Sequence, residues 1–281
     1  MTARAVERER EKEHEAYLVR HWNGSAGNQF PGKRTGRAVG ELVSLPSRDG
    51  VTQGIYIETR TDNPPWVIVL FGGNEGALHL SADGPTTLKG NFLIRTAQYW
   101  VRQGDAAVLV DTPSDYANGI DDGFRLGKDS FSDTEAVVKA LRQRFPLSKV
   151  ALVGTSRGTV SVGNALERDP GVANAFVLTS PVSIAQRGKA GVSGLDADGT
   201  KIRVLVISNQ HDACPAASFY GGKRLAERNH FEFIAVESTE GGGDKQADCG
   251  AHSPHGFLGI ESQVLGAIQG WLNNDQPAAT Q

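Results

Sequence analysis

A chain of 281 residues can bury the core of one large domain or at most two, and 39% hydrophobic with 22% charged residues is typical of a globular protein. Its 29 Lys and Arg against 32 Asp and Glu give a net charge of −3, which supplies no basic stripe for nucleic acid and no polybasic membrane patch. No apolar run approaches the roughly 20 residues of a membrane helix. We therefore expect neither nucleic acid nor a membrane as a partner.

Residues 1–36 form a charged, glycine-punctuated arm, which predicts either a solvated segment or a docking arm for a homodimer. The first twenty residues contain no apolar signal core. Read literally, this indicates a cytoplasmic protein. If a signal peptide has been removed, the protein instead belongs in the periplasm or outside the cell. Residues 37–273 show no composition shift that marks a second domain, and residues 274–281 are predicted to be a frayed tail.

Short apolar runs alternate with helical patterns along residues 37–273. Two early runs alternate apolar and polar residues, as half-buried strands do. Five later runs are almost continuously apolar, as in a parallel sheet covered on both faces, and residues 231–238 are a further candidate strand. The predicted strands are 36–45, 52–60, 66–73, 106–113, 149–154, 175–181, 203–209 and 231–238. Helical patterns follow at 92–104, at 132–145 with a capping box of Ser132 and Glu135, at 158–170 and at 258–271. This order predicts an α/β fold with helices on both faces of a mainly parallel sheet.

A serine stands between two glycines where the strand at 149–154 gives way to a helix. The segment "GTSRG" (154–158) matches G-x-S-x-G, a weak signal alone because glycine and serine are common in turns. The preceding strand and following helix supply the context that a nucleophile requires. The turn is sharp, so side chains at the two glycine positions would collide with the strand and the helix. The pattern predicts that Ser156 is a nucleophile rather than a structural serine.

A serine nucleophile needs a base and a carboxylate that orients the base, and in this fold class the acid precedes the histidine. Asp212 follows the strand at 203–209, whereas its rivals Asp196 and Asp198 precede that strand. Of the later histidines, His230 ends a helical pattern and is predicted to be structural. His252 and His255 share the loop before the last helix, and we predict His255 as the base, with His252 as a supporting or substrate-facing group or a plain loop residue.

The oxyanion hole needs two donors. The N–H of Arg157 is predicted to be one, and the N–H of Gly73 or Asn74, in the glycine-rich loop after the strand at 66–73, to be the other. The Arg157 side chain either contacts a polar or anionic substrate or forms a structural salt bridge. Phosphate-loop patterns and Cys/His zinc spacings are absent from the sequence, so no cofactor and no metal is expected.

The chain has two cysteines, Cys214 just after Asp212 and Cys249 just before His255. In the predicted fold their loops are neighbours, so we predict a disulfide between Cys214 and Cys249 that ties the acid loop to the base loop; the alternative is two reduced thiols. A disulfide would indicate an oxidising compartment, which favours the periplasm or the outside over the cytoplasm.

These residues resemble the α/β-hydrolase superfamily through "VIVLFGGNEG", "GTSRGT", "SNQHDACP" and "SPHGFLGIE", in that order. The chain also resembles a poorly characterised group of bacterial, often exported α/β hydrolases, which share Gly90–Leu93 with Arg95, Asp111 with "PSD", and the motifs above. The resemblance covers about residues 37–273. It implies an eight-stranded, mostly parallel sheet and a triad of Ser156, Asp212 and His255. The chain departs from many members of the superfamily at Phe71, a position where a histidine often precedes the oxyanion glycine.

The segment between the strands at 175–181 and 203–209 is short and glycine-rich, so no large lid and no interfacial lipase action is expected. Two longer loops, 75–91 and 114–131, are candidates for the walls of a pocket. The sequence thus predicts a serine hydrolase that cleaves small or medium carboxylic esters through an acyl-enzyme. Amide, peptide, thioester or lactone hydrolysis would use the same residues, and a non-catalytic binding protein on a hydrolase scaffold is the alternative from another class.

Overall fold

The computed structural model describes residues 38–185, 191–243 and 245–274. Eight of its strands form one sheet, and β4 with β5 forms a small hairpin. The strands are β1 (Val39–Arg48), β2 (Val51–Thr59), β3 (Trp66–Phe71), β4 (Leu80–Ser81), β5 (Gly84–Pro85), β6 (Ala106–Pro113), β7 (Lys149–Thr155), β8 (Ala175–Thr179), β9 (Val204–Asn209) and β10 (Glu232–Val236).

The large sheet has the order β1-β2-β6-β3-β7-β8-β9-β10. β1 pairs with β2 and β2 with β6 in antiparallel fashion, and the remaining neighbours are parallel. In the β3–β7 pair, Phe71 lies opposite Gly154. The loop after β3 and the turn after β7 therefore leave the same edge of the sheet side by side.

Helices cover both faces of the sheet, because the continuously apolar strands present buried side chains on each side. One core cluster includes Val69 and Val138, and the other includes Ile68 and Ile268. The helices are α1 (Phe92–Arg95), α2 (Gln98–Gln103), α3 (Asp122–Arg125), α4 (Lys128–Arg144), α5 (Gly158–Arg168), α6 (Phe219–Asn229), α7 (Lys245–Asp248) and α8 (Glu261–Asn273).

The predicted start of the helix at Ser132 is wrong. α4 begins at Lys128, with Gly127 as its N-cap and no side-chain cap, so Ser132 lies inside the helix. Contacts distant in sequence stabilise the extra turn: Asn164 Nδ2 donates to the Gly127 carbonyl, and Asp133 accepts from Arg48. The pattern at 92–104 forms two short helices rather than one, although Gly104 ends the second in the left-handed conformation, as predicted.

The predicted eight-stranded, mostly parallel α/β sheet is confirmed. Between β8 and β9, the described residues form no helix or strand, in agreement with the expectation of no large lid. Among the helices of the described ranges, none is both long and apolar enough to cross a membrane. The arm at 1–36 and residues 275–281 of the predicted tail lie outside the described residues, so their assignments stay predictions.

Candidate active site

Ser156 lies at the carboxyl end of β7, in a backbone conformation that residues with a side chain rarely adopt. Its φ is +52°, and its N–H donates to the Thr179 carbonyl at the end of β8. The Ser156 carbonyl accepts from the N–H and the hydroxyl of Thr159, which begins the turn into α5. The serine is thus held on a strained turn between a strand and a helix, as the motif predicted.

The two glycines of the turn are required by close backbone contacts. A Cβ on Gly154 would lie 2.5 Å from the Gly158 carbonyl oxygen, and a Cβ on Gly158 would lie 2.0 Å from that of Phe71. Neither contact involves a side chain that could move aside. The spacing of the motif therefore follows from the packing of α5 against β7 and the end of β3.

Asp212 and His255, predicted from separate loops, contact each other directly. His255 Nδ1 lies 2.9 Å from Asp212 Oδ2, and both residues are buried. An ionised carboxylate only accepts, so Nδ1 carries the proton and donates it to Asp212. The N–H of Cys214 donates to the other carboxylate oxygen over 2.9 Å. Asp212 is therefore oriented by one backbone donor and one ring donor.

The second ring nitrogen of His255 is free. Nε2 is buried and has no hydrogen-bond partner among the described residues, so the ring is not bonded to Ser156 Oγ in this structure. With Nδ1 protonated, Nε2 holds a lone pair that accepts a proton. The Ser180 hydroxyl connects the end of β8 to the His255 loop, because its Oγ donates to the His255 carbonyl over 2.8 Å.

The rival residues lie elsewhere in the structure. Asp198 bonds to Thr200 and Lys201 within its own loop, and His230 caps the end of α6 in the left-handed conformation. His252 is exposed, with its ring near Gly90. None of these three contacts Asp212 or His255 among the described interactions.

The loop after β3 approaches the serine closely at Gly73. A Cβ on Gly73 would lie 3.1 Å from Ser156 Cβ. Within the described residues, the N–H groups of Gly73, Asn74 and Arg157 donate to no protein acceptor, so all three are available to an oxygen above Ser156. Arg157 is also the N-cap of α5, whose dipole favours negative charge there.

The Arg157 side chain forms a salt bridge. Its Nε donates to Asp122 Oδ1 over 2.8 Å, and its NH1 lies 3.8 Å from Glu75 Oε1. Asp122 is buried, so the bridge anchors the guanidinium on α3. Of the two roles open for this side chain, the structure supports the structural one.

A second arginine, Arg125, is fully buried behind the loop after β3. It donates to the Asn74 carbonyl and to Ser161 Oγ, each over 3.0 Å. Burial and the nearby Arg157 lower its pKa to about 10, although Asp122, Glu75 and Asp121 oppose the shift. The contact fixes Asn74, which has a φ of +51°.

Cys214 and Cys249 form a disulfide, as predicted, with a Cα–Cα distance of 4.6 Å. The bond closes a loop across 35 positions and joins the acid loop to the segment that precedes His255. Asp212, Cys214 and His255 are close enough together to resemble a metal-binding group. The sulfur is bonded to Cys249 and the carboxylate to the ring, so this donor set does not fit a metal.

Two further residues hold the site together, and sequence reasoning assigned no role to either. Asn209, at the end of β9, is fully buried; it donates to the Ser238 and Pro254 carbonyls and accepts from the N–H groups of His211 and Ser238. The sequence feature that could have indicated this role is a polar residue at the end of an apolar strand.

Arg95 is the second. It donates to the carbonyls of Gly90, Ala251 and Gly256 and to the carboxylate of Glu261, at 2.7 to 3.2 Å. It thereby joins the loop before α1 to the His255 loop. Three of its partners lie more than 150 positions away, so no local pattern indicates the role.

Neither a protein-family model nor a curated protein matches the sequence. Solved structures do match. An α/β serine hydrolase without a lid from Xanthomonas campestris is 15% identical, with a TM-score of 0.57 over 90% of this chain and 100% of that chain. Est1E from Butyrivibrio proteoclasticus is 14% identical, with a TM-score of 0.56 over 82% and 98%. Oligopeptidase B from Leishmania major is 12% identical, with a TM-score of 0.58 over 86% and 37%.

These similarities define a class of fold. The chain has the fold of the α/β serine hydrolases, which agrees with the superfamily that the motifs resemble. The narrower group of exported hydrolases stays a prediction.

Proposed function

We propose that the protein is a serine hydrolase with Ser156 as nucleophile, His255 as base and then acid, and Asp212 as the carboxylate that orients the imidazole. The observation that carries the proposal is the buried Asp212–His255 pair with a free Nε2, on a loop that bonds to Ser180, the residue after the Thr179 carbonyl that accepts from the Ser156 N–H. The Ser156 hydroxyl rotates toward Nε2 when a substrate binds, because catalytic hydrogen bonds often tighten only in the complex.

In the proposed reaction, Ser156 Oγ attacks an acyl carbonyl while His255 accepts the hydroxyl proton. The N–H of Arg157 and that of Gly73 or Asn74 stabilise the oxyanion. Collapse expels the leaving group with the proton from His255, and water then releases the acyl group by the same steps. Asp212 stabilises the imidazolium and keeps its proton on Nδ1.

We propose carboxylic esters of small or medium size as the first substrate class, because esters demand least of the leaving group. Similar solved structures include a cold-adapted esterase and oligopeptidase B, so amide bonds are the second candidate. A panel of p-nitrophenyl esters and p-nitroanilides separates the two. Ester turnover that is abolished in Ser156→Ala supports the proposal, and wild-type protein without Ser156-dependent turnover of either panel contradicts it.

A binding protein on the same scaffold would need none of this arrangement. The Asp212 carboxylate orients the His255 ring so that Nε2 can accept a proton, and a site that only binds a ligand gains nothing from that orientation. We also propose an oxidising compartment, the periplasm or the outside of the cell, because disulfides persist there and are rare in the cytosol.

A further inference from the structure

The Asn91 side chain lies beside Ser156, and only half of its amide has a structural role. Oδ1 accepts from the Leu93 N–H over 3.2 Å and caps α1. This bond assigns the amide, because Nδ2 has no lone pair to accept with. The NH2 group therefore takes no part in the cap.

The NH2 group lies near the nucleophile. A Cβ on Gly73 would lie 3.3 Å from Asn91 Nδ2 and 3.1 Å from Ser156 Cβ. Glycine leaves this space open between an amide donor and a serine. Among the described residues, Asn91 Nδ2 donates no hydrogen bond.

We propose that Asn91 is a catalytic residue whose Nδ2 donates a hydrogen bond to the oxyanion, in addition to the N–H groups of Arg157 and of Gly73 or Asn74. This inference rests on the proposed function. When Ser156 Oγ bonds to the acyl carbon, the carbonyl π pair moves to oxygen and the serine proton moves to His255. Asn91 stabilises that oxygen without losing a proton, and releases it when the carbonyl re-forms and the leaving group departs.

Such a donor contributes most when it is fixed before the reaction. Arg95 supplies that rigidity, because it donates to the carbonyl of Gly90, the residue before Asn91, over 2.7 Å. The same guanidinium binds the Gly256 carbonyl, next to His255. Donor and base are therefore held by one side chain.

Asn91→Ser tests the proposal, because serine is an equally good N-cap but its short side chain offers no donor at that reach. We expect kcat to fall roughly 10- to 1,000-fold with KM nearly unchanged. A boronic acid that forms a tetrahedral adduct with the serine is expected to lose affinity in step with kcat/KM. Asn63→Ser is the matched control, since Asn63 is exposed before β3, at the opposite edge of the sheet; it is expected to behave as wild type.

An Asn91→Ser variant with wild-type kcat and wild-type boronate affinity would overturn the proposal. If that variant proves unstable, Asn91→Asp decides, because aspartate also caps the helix and replaces the donor by an acceptor. An Asn91→Asp variant that folds and keeps full activity would overturn the proposal equally. The two proposals fail in different ways. If the wild type shows Ser156-dependent turnover, a fully active Asn91 variant overturns only the role of Asn91; if the wild type shows no such turnover, the proposed function itself is overturned.

Discussion

In the turn at Ser156, almost no position accepts a different residue. The positive φ of Ser156 costs free energy that the surrounding contacts must offset. Gly158 makes the tightest of these contacts, against backbone of β3 that belongs to the centre of the sheet. The geometry of the Ser156 turn is thus a consequence of close main-chain packing.

At this scale we predict that Gly158→Ala lowers the free energy of unfolding by roughly 3 kcal/mol or more, because its Cβ would overlap the Phe71 carbonyl at 2.0 Å. Gly270→Ala is the matched control, since a Cβ there meets nothing within 4 Å in an exposed part of α8. The control is expected to be neutral or up to about 1 kcal/mol more stable. Urea unfolding measures both, and equal stability of the two variants would contradict the packing argument.

A buried carboxyl at Asp105 gives a second prediction. Burial raises its pKa above 3.8, and the nearby Gln269 side chain and the Trp66 N–H, which donates to Oδ1, lower the pKa by less. Because the folded-state pKa is raised, the folded protein opposes ionisation, and the wild type loses stability as pH rises from 3.8 through the raised pKa. Asp105→Asn has no such titration and still accepts from Trp66. We expect it to be about 1 kcal/mol more stable at pH 7 and to lose that advantage in acid.

Thermal unfolding at several pH values measures the difference for Asp105→Asn. The sign is specific, because a salt-bridged carboxylate would give the reverse trend, with the variant weaker at neutral pH. A variant that is less stable than the wild type at pH 7 would therefore count against a desolvated Asp105.

At the scale of elements, the loops after β9 and β10 matter most, because each carries one member of the Asp212–His255 pair. The disulfide, Asn209 and Arg95 all connect these loops to one another or to the loop before α1. The acid and the base are thereby fixed by contacts between loops and not by a helix or strand of their own.

We predict that the Cys214→Ser/Cys249→Ser double variant is roughly 3–4 kcal/mol less stable, because the disulfide closes a loop of 35 positions in the unfolded chain. Its kcat is also expected to fall, since the Cys214 N–H orients Asp212. Reduction of the wild type should reproduce both effects. Intact mass without reductant provides the check: two free thiols in active wild-type protein would be inconsistent with this role.

For the molecule as a whole, the sequence predicts the sheet well, because its strands are short apolar runs whose signal is local. The strained turn at Ser156 was also predictable, since the close approach of Gly158 to β3 imposes a glycine that the pattern displays. Asp212 and His255 follow from their places after strands. Arg95 and Asn209 were not assigned roles, because most of their partners come from loops far away in the chain, and Asn91 was not assigned one because only the fold brings it near Gly73 and Ser156. The predicted helix start at Ser132 was wrong for the same reason, because Arg48 and Asn164 bind the first turns of α4 and both are distant in sequence.

Another prediction at this scale concerns the open face of the site. Because no helix or strand of the described residues intervenes between β8 and β9, we expect no interfacial activation. The rate of hydrolysis of a sparingly soluble ester should rise hyperbolically with the ester concentration. It should show no step where the concentration passes the solubility limit. A sharp increase at that limit would require a lid that opens on a lipid surface.

The central claim is that Ser156 is a nucleophile activated by His255. The most direct measurement is labelling with a fluorophosphonate, followed by mass spectrometry of the labelled peptide. We predict one label per chain, located on Ser156, with no labelling in Ser156→Ala and strongly slowed labelling in His255→Ala. Folded wild-type protein that takes up no label, or a label that persists in Ser156→Ala, would contradict the claim.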